Sequence, residues 1–400
     1  MRLSYLVPLC LALGIIAADE DVQVSFRPQD LPQKTVSCKA LNRAEDLVKD
    51  IDIHYVEVNP EAERTLLMVH GWPSLWHSWK FQIEEFKDDY HIVAPDLRGF
   101  GSSAHPGDVK TSGNWADIVG DLVCVLDHAG IDSAVCMGHD WGSELCYQAA
   151  RMRPDLIHAI VGAAVPYISF AGPFQPTSAL APYLPQLAYQ VFLGTTPEQA
   201  KEELDTDIRR SLRATLRTVA SPTPDTFLTA TTTFLGPWGD AEIPPIPFFT
   251  SEEEDYWVEQ YSIQGFKNTL QFYTPGNQEG SWNFIHAQGN LSIPQPALSI
   301  LPLHDPVADW AEAAKIMRSA DFVPSLTTQM IEGAHWLQLE NPCEFNRIAR
   351  TWLEALPYKE KIAAEEAEKK KEEAKEAKEQ GYVEPEVEVE KVQVHLGDEL

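Results

Sequence analysis

The pentapeptide Gly138-His139-Asp140-Trp141-Gly142 is the part of the sequence best equipped for chemistry. It follows the apolar run 134–137 and precedes a helical stretch at 142–151, so it reads as a sharp strand–turn–helix. Glycine two positions before and after the central residue leaves room for a strained backbone, which presents side chain 140 at the edge of a sheet. A serine there would have to lose a proton before attacking a carbonyl. An aspartate is already anionic at neutral pH and can displace a leaving group from saturated carbon, which leaves an alkyl ester on Asp140. Hydrolysing that ester needs a water activated by a histidine, a carboxylate to orient the ring, and N–H donors for the oxyanion. Taken alone, Asp140 could equally be a carboxylate at a helix start.

The partners are in the chain. Gly333-Ala334-His335-Trp336 follows the strand-like run 328–331, and Asp305 in Leu303-His304-Asp305-Pro306 comes directly after the run before it. The order Asp140, Asp305, His335 is nucleophile, acid, base. Asp309 is a second candidate for the orienting carboxylate, but it lies farther into the next helix. His70-Gly71-Trp72-Pro73 ends the run 65–69, so the main-chain N–H groups of Trp72 and Trp141 are the expected oxyanion pair. Pro73 makes a cis bond possible. The six cysteines, at 10, 38, 124, 136, 146 and 343, lack C-x-x-C spacing, and no metal or cofactor is expected.

The elements that must position these groups show an α/β pattern. Apolar runs at 65–69, 91–94, 134–137, 159–165, 297–303 and 328–331 have the length of buried parallel strands. Helical stretches at 78–86, 115–128, 142–151, 310–319 and 343–355 alternate with them, as in a mostly parallel sheet with helices on both faces. The alternation stops between 166 and about 293, in a segment rich in Pro, Tyr, Trp and Phe. Because both flanks return to one sheet, this segment is expected to be an inserted helical cap over the carboxyl ends of the strands. The expected layout is a core at 19–166 and 294–357 with a cap at 167–293.

The ends differ from the body. Residues 1–18 have a basic start, an apolar run at 3–16 and small residues before an acidic stretch, which reads as a signal peptide. That run is short for a bilayer-spanning helix of about 20 residues. Residues 358–400, built largely of Lys, Glu and Ala and closing with Gly397-Asp398-Glu399-Leu400, read as a charged helical or disordered tail. This ending resembles the tetrapeptides that return soluble proteins to the endoplasmic reticulum, so a retrieval receptor is the expected partner there. Lumenal residence is the expectation, with secretion or membrane anchoring as alternatives. Asn290-Leu291-Ser292 is a glycosylation sequon. The net charge of −29 disfavours nucleic acid as a partner.

The segments HGWPSLWHSW at 70–79, APDLRGFGSS at 94–103, GHDWG at 138–142, and those around Asp305 and His335 resemble epoxide hydrolases of the α/β-hydrolase fold. The resemblance spans about residues 40 to 356. It implies a small apolar epoxide and water as reactants and a vicinal diol as product. It also implies two cap tyrosines that donate to the opening oxygen. Tyr273, ending the segment from Gly265, takes one role; Tyr189 takes the other, with Tyr183 and Tyr167 as alternatives. His70, Pro73, Phe192 and Phe272 are expected to touch substrate, and Phe170 and Phe174 to add apolar lining. A haloalkane dehalogenase would use the same nucleophile, but halide departure calls for N–H donors rather than O–H acids. A catalytically idle lumenal binding protein is the third reading. Oligomeric state and disulfide pairing stay open.

Overall fold

The computed structural model describes residues 24–356, so the expected signal peptide and the charged tail lie outside the described residues. Eight strands form one sheet: β1 (Gln33–Asn42), β2 (Leu47–Val58), β3 (Thr65–Val69), β4 (His91–Pro95), β5 (Ala134–His139), β6 (Ile157–Ala163), β7 (Ala297–Pro302) and β8 (Leu326–Ile331). Their order is β1-β2-β4-β3-β5-β6-β7-β8. β1 and β2 pair antiparallel, as do β2 and β4; from β4 onward every pairing is parallel. The fold is therefore α/β with a mostly parallel sheet.

The six strands read as short apolar runs are the ones that lie beside other parallel strands, and every residue of β3, β4, β5 and β7 is buried. The β1–β2 hairpin had no such signature. β1 alternates exposed and buried residues, because an antiparallel edge pair keeps one face in water. A disulfide between Cys38 on β1 and Cys124 on the helix α2 (Trp115–His128) ties this hairpin to the body.

The insertion runs between β6 and β7. It holds helices Ala188–Thr195, Pro197–Thr206, Ile208–Thr215, Ser251–Ser262 and Pro275–Gln288. The cap is less helical than expected, since residues 216–250 contain only a short 3-10 turn. Side chains supply the bonds that a helix would otherwise make. The Arg217 guanidinium donates to the carbonyls of Arg213, Ser221, Pro244 and Pro245, while Glu203 accepts from the N–H groups of Phe234 and Leu235.

The aromatic run after His70 has a structural explanation. Trp76 donates to the Tyr256 hydroxyl at 2.9 Å, His77 accepts from the Trp257 indole at 3.0 Å, and the Ser74 carbonyl accepts from Tyr261 at 3.2 Å. Lys80 donates to both oxygens of Glu253 and to the Phe248 carbonyl. Residues 74–80 thus fasten the cap to the core, and the described residues from 24 to 350 share one compact unit.

Candidate active site

Asp140 stands between β5 and the helix α3 (Trp141–Met152) with φ 55° and ψ −123°, a conformation that only a well-braced turn sustains in a residue with a Cβ. Its N–H donates to the Ala163 carbonyl at 3.1 Å, and its carbonyl accepts the Ser143 N–H at 3.0 Å. A Cβ on Gly138 would collide with the Gly142 carbonyl, which explains the expected glycine on the strand side. A second disulfide, Cys136–Cys146, joins β5 to α3 across the turn.

The Trp72 N–H donates to Asp140 Oδ1 at 2.9 Å, and a Cβ on Gly71 would strike that same carboxylate, so glycine lets the loop approach. Trp141 opens α3, whose first N–H groups have no partner within the helix. Both expected oxyanion donors thus flank the nucleophile. The Trp72–Pro73 bond is cis.

His335 Nε2 lies 3.4 Å from Asp140 Oδ2, and His335 Nδ1 lies 2.7 Å from Asp305 Oδ2. Asp305 also accepts from the Val307 N–H at 2.8 Å and the Trp310 indole at 2.7 Å. Asp309 is elsewhere: it caps the helix Trp310–Ile316 by accepting the Glu312 N–H. Burial alone would push the Asp140 carboxyl up, but the His335 bond and charge, His139 and the Trp72 N–H together hold it below its usual value. Burial pulls His335 down, whereas Asp305 and Asp140 raise it to about 10. The contacts with Asp305 and Asp140 thus favour the protonated ring of His335.

Across from Asp140 stand Tyr189, on the helix Ala188–Thr195, and Tyr273, at the end of the 3-10 segment Lys267–Tyr273. Their ring centroids are 5.9 Å apart, and Tyr273 lies 5.2 Å from the Trp72 ring and 5.9 Å from the Trp141 ring. Burial above all raises both phenols, followed by the Asp140 charge at Tyr189 and by Tyr189 and then Asp140 at Tyr273, so both keep their protons. The alternatives are occupied elsewhere: Tyr167 donates to the Leu291 carbonyl at 2.6 Å, and Tyr183 is 84% exposed.

The residues expected to touch substrate are held by protein neighbours as follows. His70 is fully buried; its Nε2 accepts the Leu97 N–H and its Nδ1 donates to the Gly71 carbonyl, so no ring nitrogen is left for a substrate. It shapes the oxyanion loop instead. Phe272 stacks on Trp141 at 5.9 Å and packs near Trp115 and Phe100, buttressing the Trp141 ring. Phe192 and Pro73 are buried beside these elements, and Phe174 packs on Trp282 rather than on the tyrosines. Asn290 is exposed after the helix Pro275–Gln288, with Oδ1 accepting the Ser292 N–H.

The sequence reading missed Phe234, whose ring lies 5.5 Å from Trp72 and 5.8 Å from Tyr189. It sits in the irregular part of the cap, where no periodicity marks it. It also missed His139, which donates from Nε2 to the His335 carbonyl at 2.8 Å, and Gln190, which donates to the Tyr189 hydroxyl at 3.3 Å. His335 faces a cavity of about 350 Å³ lined also by Gln186, Thr218, Val219, Leu228 and Trp336.

Several known proteins are similar to this chain. Epoxide hydrolase A of Mycobacterium tuberculosis is 28% identical over 316 residues, covering 76% of this chain and 95% of its own length. The bifunctional epoxide hydrolase 2 of Sus scrofa is 28% identical over 331 residues, but the chain spans only 57% of that longer protein. Among solved structures, an epoxide hydrolase from an endophytic Streptomyces superposes with a TM-score of 0.67 at 26% identity, over 80% of this chain and 95% of the other. The profile described as alpha/beta hydrolase fold matches residues 64–342, and with that match over more than half its length the chain belongs to the alpha/beta hydrolase fold family.

Proposed function

We propose that this protein is an epoxide hydrolase that opens an apolar epoxide by attack of Asp140 and releases a vicinal diol. The observation that carries the reading is the pair of protonated phenols, Tyr189 and Tyr273, facing an ionised Asp140 that is hydrogen-bonded by the Trp72 N–H. An epoxide oxygen leaves as an alkoxide and needs a proton; O–H acids supply it. A halide needs N–H donors, and the Trp72 indole N–H is committed to the Thr269 hydroxyl at 3.0 Å, which disfavours the dehalogenase reading. An idle binding protein would have no use for the Asp140–His335–Asp305 geometry.

The charge balance orders the steps. Asp140 attacks a ring carbon, and a tyrosine gives its proton to the departing oxygen. Esterified Asp140 is neutral, so one of the two carboxylates holding the His335 proton disappears. The His335 pKa then falls, and the proton it releases restores the tyrosine. The neutral imidazole, still held by Asp305, takes a proton from water, which attacks the ester carbonyl; the tetrahedral oxyanion meets the Trp72 and Trp141 N–H groups, and as it collapses the bond to the diol oxygen breaks, that oxygen takes a proton from the new Asp140 carboxyl, and Asp140 returns as a carboxylate beside the imidazolium. One turnover in oxygen-18 water tests this: the label should enter Asp140 first, while the diol keeps an oxygen from the protein. Label in the diol but not in Asp140 would mean that water opens the ring itself.

Residence in the endoplasmic reticulum lumen, with residues 1–18 as a cleaved signal, Gly397–Leu400 as a retrieval signal and a glycan at Asn290, belongs to the same proposal. Supporting it are the two disulfides, which persist in oxidising compartments, and the exposed Asn290.

A further inference from the structure

Trp72 serves the site twice. Its main-chain N–H donates to Asp140 Oδ1 at 2.9 Å, and its indole N–H donates to the Thr269 hydroxyl at 3.0 Å. The Thr269 hydroxyl in turn donates a hydrogen bond to the Phe266 carbonyl at 2.7 Å, and Thr269 is fully buried. Four residues later the same 3-10 segment ends in Tyr273, whose ring meets the Trp72 ring edge-on at 5.2 Å. Between them, Gln271 donates to the Arg98 carbonyl of the core at 2.7 Å. The ties of Tyr189 stay within the cap: its N–H donates to the Leu228 carbonyl at 3.0 Å, its hydroxyl accepts from Gln190 and pairs with that of Tyr273, and its ring rests on Phe234 and Tyr273.

We infer that Trp72 and Thr269 form an internal latch that fixes the acid Tyr273 relative to the nucleophile Asp140, and so helps to decide which epoxide carbon is attacked. The inference rests on the epoxide hydrolase reading. The latch holds because one rigid indole spans the distance between the oxyanion loop of the core and the acid-bearing segment of the cap. With the nucleophile and the acid referred to one residue, the opening oxygen and the attacked carbon are placed together. Trp72 and Thr269 are positioning residues here, acting on the ring-opening step through Tyr273. Ester hydrolysis uses the Trp72 main-chain N–H, which no side-chain change removes.

The test is a single-turnover comparison of wild type, Trp72→Phe, Thr269→Val, Thr269→Ser and the Trp72→Phe/Thr269→Val double variant on a styrene-type epoxide. Trp72→Phe and Thr269→Val should each slow ring opening by about five- to tenfold, the scale expected of a slightly misplaced acid. The double variant should be no slower than either, because both changes break one bond. Breakdown of the alkyl-enzyme should change less than about twofold, as an unaltered oxyanion donor requires. Thr269→Ser, which keeps the hydroxyl, should restore the wild-type rate. After many turnovers in oxygen-18 water, when Asp140 itself carries the label, the ratio of label at the two diol carbons should shift in the two single variants and return in Thr269→Ser. Multiplying effects in the double variant, equal slowing of both steps, or an unshifted ratio would overturn the latch. A wild-type protein that forms neither diol nor alkyl-enzyme would overturn the underlying functional reading instead. Should Trp72→Phe fail to fold, the Thr269→Val and Thr269→Ser pair alone decides, by rate and carbon ratio.

Discussion

The core side and the cap side of the site are built on different principles. Asp140, Asp305 and His335 each follow a strand of the parallel sheet, and a main-chain group anchors each: the Ala163 carbonyl accepts the Asp140 N–H, the Val307 N–H donates to the Asp305 carboxylate, and the His335 carbonyl accepts from the His139 ring. The two tyrosines come from an insertion with an irregular stretch of more than thirty residues, and side chains and ring packing hold them. A sheet edge fixes positions through the regular ladder, so nucleophile and base geometry tolerates little variation. A cap held by side-chain contacts can be re-shaped without disturbing the ladder. On the proposed mechanism the division would suit the chemistry, since attack and hydrolysis need one geometry whereas the acids must suit the substrate.

Changes on the core side should therefore be the most damaging. Asp140→Ala should lower kcat by about 10⁴-fold or more, on the scale of losing a nucleophile, and leave no adduct by mass spectrometry. His335→Gln should consume about one equivalent of epoxide per site and then stall, with the substrate's mass retained on the peptide containing Asp140, because only hydrolysis needs the base. An equal loss of both steps in His335→Gln would erase the distinction between attack and hydrolysis.

On the cap side the effects should be smaller and unequal. Tyr273→Phe should slow ring opening by about 10²-fold, as expected for a lost oxyanion donor, and Tyr189→Phe by less, because Tyr273 has the firmer tie to the core. The double change should cost more than either. Equal single effects, measured by stopped-flow tryptophan fluorescence, would remove the contrast between the two acids.

The pH dependence sharpens the same comparison. His335 is raised from an ordinary 6.5 to about 10, so the stability it contributes is fully present below about 6.5 and lost as pH rises through 10. Asp140 is lowered, so its contribution is present above its unfolded pKa near 3.8 and lost at lower pH. The difference in Tm between wild type and His335→Gln should shrink between pH 7 and pH 10.5. The smallest effect on catalysis belongs to the tail: removing residues 397–400 should leave specific activity unchanged while moving the protein to the medium. Retention of the shortened protein would count against retrieval.

The sequence by itself determined the elbow, the six parallel strands and the order Asp140, Asp305, His335, because each is encoded within a few neighbouring residues. Glycine at fixed offsets, a five-residue apolar run and a loop aspartate after a strand are local facts. The tertiary structure decided what depends on residues far apart in the chain. Asp305 rather than Asp309 meets His335 because Asp309 is spent on a helix cap. His70 is turned away from substrate by the Leu97 N–H, twenty-seven residues on. The β1–β2 hairpin escaped notice because its alternating face lacks the continuous apolar run of a doubly covered strand. Phe234 and the Trp72–Thr269 bond bring together residues more than 150 positions apart, through an insertion with no period to read. Local spacing specifies a backbone shape, but which side chains then meet depends on how the whole insertion packs against the sheet.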